Sequence, residues 1–230
     1  MDIAPFELER WFAEYEHEAD LMLAESGIRS LDADRFDLDP GTLGYVIPTN
    51  GDPDFRAAVG DRYDRGPDEV LFTVGTQEAN FLAFQALMDE DDHAVVVTPT
   101  YQALHAVPES IGSVTRVGLE SPEWTLDVDA VADAIRPETQ VIVLNNPNNP
   151  TGRYHSQATV EALYDLAAAN ESYLLVDEVT DSSNRAFAQG YHDAVDDLLS
   201  EYGYDGPGLT TESIEDLPQT YDAPVAAGGN

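Results

Sequence analysis

Apolar residues fall at steps of three and four from Pro5 to Glu25, where Leu8, Trp11, Phe12, Tyr15, Ala19, Met22 and Leu23 form one stripe. That spacing predicts an amphipathic helix. From Ser26 to Asn50 no period is sustained, and Gly27, Pro40, Gly41, Gly44 and Pro48 give the stretch the composition of a connecting loop. Asp52 and Pro53 then have the residue types of an N-cap and a first helical position, predicting a helix to about Tyr63.

Beyond Gly66 short β-rich runs alternate with helical ones. The pattern predicts strands over Glu69 to Val74, His93 to Thr98, Ser113 to Val117, Gln140 to Leu144 and Tyr173 to Val176. Between them it predicts helices over Thr76 to Met88, Tyr101 to Ile111, Asp127 to Ile135 and Ser156 to Ala169. Runs such as VVV and VIVL are apolar without alternation, so both of their faces need covering. The expected fold class is therefore α/β, a three-layer αβα sandwich on a mostly parallel sheet. The chain divides into 1–40, a helix with its loop; 41–180, the sheet-bearing domain; and 181–230, an acid-rich tail. The tail is expected to be partly disordered, with one helix over Tyr191 to Tyr202.

Composition changes the picture in three ways. The 230 residues hold 45 Asp plus Glu against 10 Lys plus Arg, all of them Arg, for a formal charge of -35. Such a surface repels polyphosphate backbones and anionic bilayers, which argues against nucleic-acid and membrane partners. It is tolerable where salt is high, because near 1 M the screening length falls to about 3 Å; a halophilic source that loses structure in low salt is the expectation. With no cationic, apolar opening in MDIAPFELER, the expected address is cytoplasmic. Zero cysteines exclude disulfides and thiolate chemistry for this sequence.

In a parallel α/β sheet, ligands bind beyond the carboxyl ends of the strands. The residues there are Gly75-Thr76-Gln77, Pro99-Thr100-Tyr101, Asn145 to Gly152, and Asp177-Glu178. Gly75-Thr76-Gln77 leads into a helix whose free amides and dipole favour an anion such as phosphate, though an ordinary turn capped by Thr76 has the same residues. The segment NNPNNPTG is stiffened by Pro147 and Pro150 and carries amide side chains able to donate to a ligand; it is also rich in turn formers. Asp177 ends an apolar run, where a carboxylate needs a cation or donors, and Tyr101 offers an aromatic face. His17, with Glu14 and Glu18, has helical metal-ligand spacing, but a solvated acidic face is the better explanation, since the opposite face already holds the core residues. His93, His105, His155 and His192 share no metal spacing, and no hydrolytic triad motif is present.

The order GTQEA, PTY, NNPNNPTG and LLVDEV, preceded by GYVIPTNGDPDFRAAV, resembles the class I/II pyridoxal-phosphate-dependent aminotransferases of the aspartate aminotransferase fold. The resemblance runs from about Gly41 to Val179. It implies that Gly75, Thr76 and Gln77 donate to the cofactor phosphate, that Tyr101 stacks on the pyridine ring, and that Asn149 bonds the ring's phenolic oxygen. Asp177 is implied to pair with the pyridinium nitrogen, keeping the ring an electron acceptor. Tyr45 matches a tyrosine that reaches the neighbouring subunit's phosphate, which implies a homodimer. The family reaction moves an amino group between an amino acid and a 2-oxo acid, and lyase or cyclase chemistry uses the same scaffold.

The family's Schiff-base lysine has no counterpart, since the sequence contains no lysine, and Val179-Thr180 stands where the family has a small apolar residue and Tyr. Arginine cannot replace that lysine because it stays protonated. The expectation is thus a reading frame interrupted near Thr180, truncated before the lysine and small domain, leaving an inactive chain or a non-enzymatic remnant or regulatory partner. A Walker-type nucleotide hydrolase, suggested by the run ending in Asp-Glu, is excluded because a phosphate loop needs lysine.

Overall fold

The computed structural model describes residues 2–15, 18 and 49–178. The element order is α1 Glu7–Tyr15, α2 Pro53–Arg62, a single 3-10 turn Pro67–Glu69, α3 Thr76–Leu87, β1 His93–Thr98, α4 Ala103–Ile111, β2 Ser113–Gly118, α5 Val128–Ala134, β3 Thr139–Asn145, α6 Gln157–Ala169 and β4 Tyr173–Asp177. The first helix is described over Glu7–Tyr15, and its predicted continuation to Glu25 lies outside the described residues apart from Glu18. Tyr45, the Asp181–Asn230 tail and His17 also lie outside them.

The strands form one four-stranded sheet in the order β2-β1-β3-β4. Every pairing is parallel, with His93 opposite Ser113, Val96 opposite Val143, and Asn145 opposite Asp177. Alternate residues of β1 and β3 face opposite layers, as a strand's two-residue period requires. Val95, Val97, Ile142 and Leu144 pack with Val131 of α5 and with Val160, Leu163 and Ala167 of α6. Ala94, Val96, Val141 and Val143 pack instead with Phe84 of α3 and with Leu104 and Val107 of α4. Helices on both faces make the three-layer α/β sandwich, which is why the central strands are apolar throughout.

The helix starts follow local chemistry. Asp52 caps α2 by accepting from Phe55 N–H at 3.0 Å, with Pro53 behind it. Ser156 caps α6 in the same manner, accepting from Thr159 N–H. The turn from α4 to β2 needs Gly112, since a Cβ there would lie 2.4 Å from Asp92 O.

Residues Glu69 to Val74 are not a strand. Glu69 closes the 3-10 turn, the Phe72 N–H donates to Asn50 O at 2.9 Å, and Val74 is 91% exposed. An apolar run becomes a strand only when a neighbour takes its backbone groups, and among the described residues no strand of the sheet lies beside it. The run ahead of Asp177 is also less buried than its composition suggests: among the described residues β4 lies at the edge of the sheet, with Tyr173 exposed and Leu174 to Val176 half-buried.

Candidate functional site

Because the strands are parallel, the ends of β1, β3 and β4 lie at one edge of the sheet. Asp177 terminates β4 and is 3% exposed. The Asn145 side chain, at the end of β3, donates from Nδ2 to Asp177 O at 2.9 Å and to Asp177 Oδ2 at 3.2 Å. Asn80, in the first turns of α3, is 8% exposed, and its side chain favours the ionised form of the carboxylate. Asp177 Oδ1 is buried without a hydrogen-bond partner among the described residues. Burial raises the Asp177 pKa above the ordinary value, and the Asn80 side chain opposes that rise.

The Asn-Pro loop spends most of its amides on its own shape. Asn146 accepts from His155 N–H at 2.8 Å and donates to His155 O at 3.0 Å, closing the loop on itself. Asn148 donates to Pro99 O at 3.0 Å, tying the loop to the end of β1, and accepts from Thr151 Oγ1 at 2.6 Å. Asn149 is held by its backbone N–H, which donates to Asn145 Oδ1. Its half-buried side chain makes no hydrogen bond among the described residues, unlike those of Asn145, Asn146 and Asn148.

The turn Gly75-Thr76-Gln77 enters α3 just ahead of Asn80. Gly75 has φ +84°, a conformation that favours glycine. No side chain caps this helix, and its backbone ladder begins with Ala79 N–H to Gly75 O at 3.4 Å. The amides of Thr76, Gln77 and Glu78 therefore precede that ladder at the positive end of the helix dipole. The Glu78 carboxylate is turned back to accept from Val74 N–H at 2.5 Å.

Tyr101 lies beyond β1 under the amino-terminal helix. Phe6 meets its ring edge-on at 6.4 Å, and the phenol donates to Glu9 Oε1 at 2.5 Å. Gln102 completes the clasp, accepting from Glu7 N–H at 3.0 Å and donating to Pro5 O at 2.9 Å. Burial first, then the Glu9 hydrogen bond and charge and the Asp177 charge, push the Tyr101 pKa up to about 12, so the phenol stays neutral.

In the segments that follow β1 and β3, the buried Thr100 Oγ1 and His155 Nε2 also lack partners among the described residues. His155 is 4% exposed, and burial followed by the Arg153 charge lowers its pKa to about 4.

The structure thus joins Asp177, Asn145 and Asn149 by hydrogen bonds and sets Asn80 of α3 and Tyr101 within electrostatic reach of Asp177. Tyr45 is outside the described residues. Sequence reasoning missed Asn80 and the α1 clasp. Asn80 was readable as a polar residue four positions before Phe84 on the buried stripe of α3. The clasp left no signal, because it joins residues more than 90 positions apart.

Among the described residues no group of His, Cys, Asp and Glu side chains is arranged to hold a metal ion, and no helix is long and apolar enough to cross a membrane. An organic cofactor fits better what is present. The orphaned Asp177 oxygen suits a ring cation, and the uncapped α3 start suits an anion.

Comparison with known proteins bears on the same residues. The family model for aminotransferase class I and II matches residues 15–181. The aspartate/prephenate aminotransferase of Thermus thermophilus is 33% identical over 156 residues, covering 64% of this chain and 40% of the relative. Capreomycidine synthase of Streptomyces vinaceus is 32% identical over 183 residues, covering 74% of this chain and 47% of the relative. Among solved structures, a PLP-dependent aminotransferase from Streptococcus suis superposes with a TM-score of 0.68 at 30% identity, over 78% of this chain and 52% of that one. The chain spans about 40% of the length of the first curated relatives it matches. With the parallel sheet, the Asn-Pro loop and the strand-terminal Asp in the family's order, the chain belongs to the class I and II aminotransferases, a pyridoxal-phosphate-dependent family.

Proposed function

We propose that residues 41–180 are the cofactor-binding part of an enzyme that transfers an amino group between an amino acid and a 2-oxo acid, using pyridoxal 5'-phosphate. The observation that carries this reading is Asp177: a buried carboxylate held by the neutral amide of Asn145, with one oxygen unpaired among the described residues. Uncompensated, such a charge is costly and drifts toward protonation; a protonated ring nitrogen against Oδ1 would restore the anion. When bound, the cofactor supplies a ring that accepts the electron pair released at the substrate's α-carbon.

The remaining roles belong to this chain. The amides of Gly75, Thr76 and Gln77, with the Thr76 hydroxyl, hold the phosphate dianion at the start of α3. Asn149, whose side chain is unspent within the loop, donates to the ring's phenolic oxygen. Tyr101 covers one ring face, and its phenol, pushed to about 12, holds its proton throughout the working pH range. By resemblance to the family, Tyr45, which lies outside the described residues, is assigned to the phosphate bound by a second copy, and the complete site would then be a homodimer's.

No residue of the 230 is lysine, so nothing in this chain can form the covalent link or move the substrate proton as lysine does. On its own the chain is a non-covalent cofactor binder without turnover. A second reading, other chemistry on the same scaffold, is supported by the match to a synthase across 74% of this chain.

The test is titration of the full chain with pyridoxal phosphate. Saturable quenching of intrinsic fluorescence, lost in Asp177→Ala and not fixed by borohydride, is expected. Cofactor binding equal in wild type and Asp177→Ala would refute the reading.

A further inference from the structure

We propose that Asn145 is a positioning residue: its one side-chain amide holds Asp177 and Asn149 at a fixed spacing, so that both meet the same rigid ligand ring. This deepens the cofactor reading and rests on it for the identity of that ring.

Asn145 ends β3 directly opposite Asp177 of β4 and is 1% exposed. An amide so buried is costly unless its polar atoms are used, and here both ends are used. Nδ2 donates to the Asp177 carbonyl at 2.9 Å and to the carboxylate Oδ2 at 3.2 Å. Oδ1 accepts from the Asn149 N–H, four residues further along the loop. The sheet ladder adds a bond from the Asn146 N–H to the Asp177 carbonyl at 3.1 Å, but that bond fixes backbone alone. The side chain of Asn145 ties the carboxylate itself to the loop.

The grip leaves two groups unspent among the described residues, Asp177 Oδ1 and the half-buried side chain of Asn149. In the cofactor reading these meet the ring nitrogen and the phenolic oxygen. Both atoms belong to one rigid ring, so their partners need a set separation, and a planar amide with a donor end and an acceptor end supplies it. Leucine at this position would fill similar space without either bond. Aspartate would keep the acceptor for Asn149 but press a second carboxylate against Oδ2.

NMR of the full chain without cofactor tests the tie, following the Asp177 carboxyl carbon through a pH titration together with the Asn149 amide proton. Asp177→Asn and Asn149→Ala identify the two resonances by their absence. In Asn145→Leu the Asp177 midpoint should rise by about one pH unit, because a donor to the anion is gone. Burial, the Asn80 side chain, the Tyr101 phenol and the exposed Glu178 act in wild type and variant alike. The Asn149 amide proton should move upfield, and pyridoxal phosphate should bind about tenfold more weakly. Asn146→Ala is the control: it removes both side-chain bonds to His155 and leaves Asn145 in place, so the Asp177 midpoint should stay at the wild-type value. Asn145→Ala provides the same readings if the leucine variant lacks a native circular dichroism spectrum. An Asp177 midpoint or an Asn149 resonance unchanged in a folded Asn145 variant overturns the proposal, whatever the cofactor does. So does an equal midpoint shift in Asn146→Ala, or unchanged affinity in an Asn145 variant whose resonances have moved. If both resonances move as expected while the wild-type chain binds no pyridoxal phosphate, Asn145 keeps its hold on the two residues and the cofactor reading falls.

Discussion

The two edges of the sheet both bury polar side chains, and they treat them in opposite ways. At the edge where the strands begin, His93 is 1% exposed and both ring nitrogens are used, Nδ1 with Thr139 Oγ1 at 2.7 Å and Nε2 with Thr115 Oγ1 at 2.9 Å. That cluster ties β1, β2 and β3 together and is closed. Where the strands end, Asp177 Oδ1, Thr100 Oγ1 and His155 Nε2 have no partner among the described residues. A buried group left unpaired costs about 1–3 kcal/mol, which a structural cluster avoids and a binding site recovers only with its ligand. At these two edges, hydrogen-bond satisfaction, rather than polarity or burial alone, separates the closed structural cluster from the candidate site.

The sharpest way to break this contrast is Asp177→Asn. The variant should lose about 100-fold or more in pyridoxal phosphate affinity, since a buried charge pair deprived of one member costs roughly 2–5 kcal/mol. A fluorescence titration reads the loss. His93→Ala should act in reverse, lowering stability by about 2–3 kcal/mol through a cavity and the loss of two hydrogen bonds between strands, with cofactor affinity of the folded protein unchanged. Denaturant melts alongside the same titration decide it.

A smaller effect has the opposite sign. Without cofactor, Asp177→Asn should stabilise the fold at pH 7 by about 1 kcal/mol, or roughly 2–4 °C in Tm, because the unpaired charge is gone. The wild-type pKa lies above 3.8, so the native state holds its proton longer than the unfolded chain does. Stability contributed by that proton is lost as pH rises from 3.8 through the raised value, and the slope should vanish in the variant. For His155 the signs reverse. Its folded pKa is lowered to about 4, so stability should fall as pH drops from 6.5 toward 4, and His155→Gln should flatten that slope in thermal melts. Smallest of all, Glu9→Gln should bring the Tyr101 pKa down from about 12 while leaving it above 10, because burial, the larger cause, remains. Ultraviolet titration of tyrosinate absorbance measures it.

How far the sequence could be read follows the same physics. The runs at Val95 to Val97 and Val141 to Leu144 were legible because burial on both faces removes alternation, and the α2 and α6 starts were legible because a cap is a local matter. Glu69 to Val74 misled because strand propensity says nothing about whether a neighbouring strand is at hand. At the site, Gly75, Asn149 and Asp177 stood out through their place after strand runs. Which amides of NNPNN are spent inside the loop was not legible, because Asn145, Asn146, Asn148 and Asn149 are chemically alike and only their surroundings differ.

The clasp on Tyr101 also gives the molecule an optical reporter. Of its two tryptophans, Trp124 packs against the core near α5, whereas Trp11 sits on α1, with the rings of Phe12 and Tyr15 each 5.5 Å away. In a Trp124→Phe background, emission would come from the helix that grips Tyr101, and its anisotropy would record whether that helix stays seated as the cleft fills.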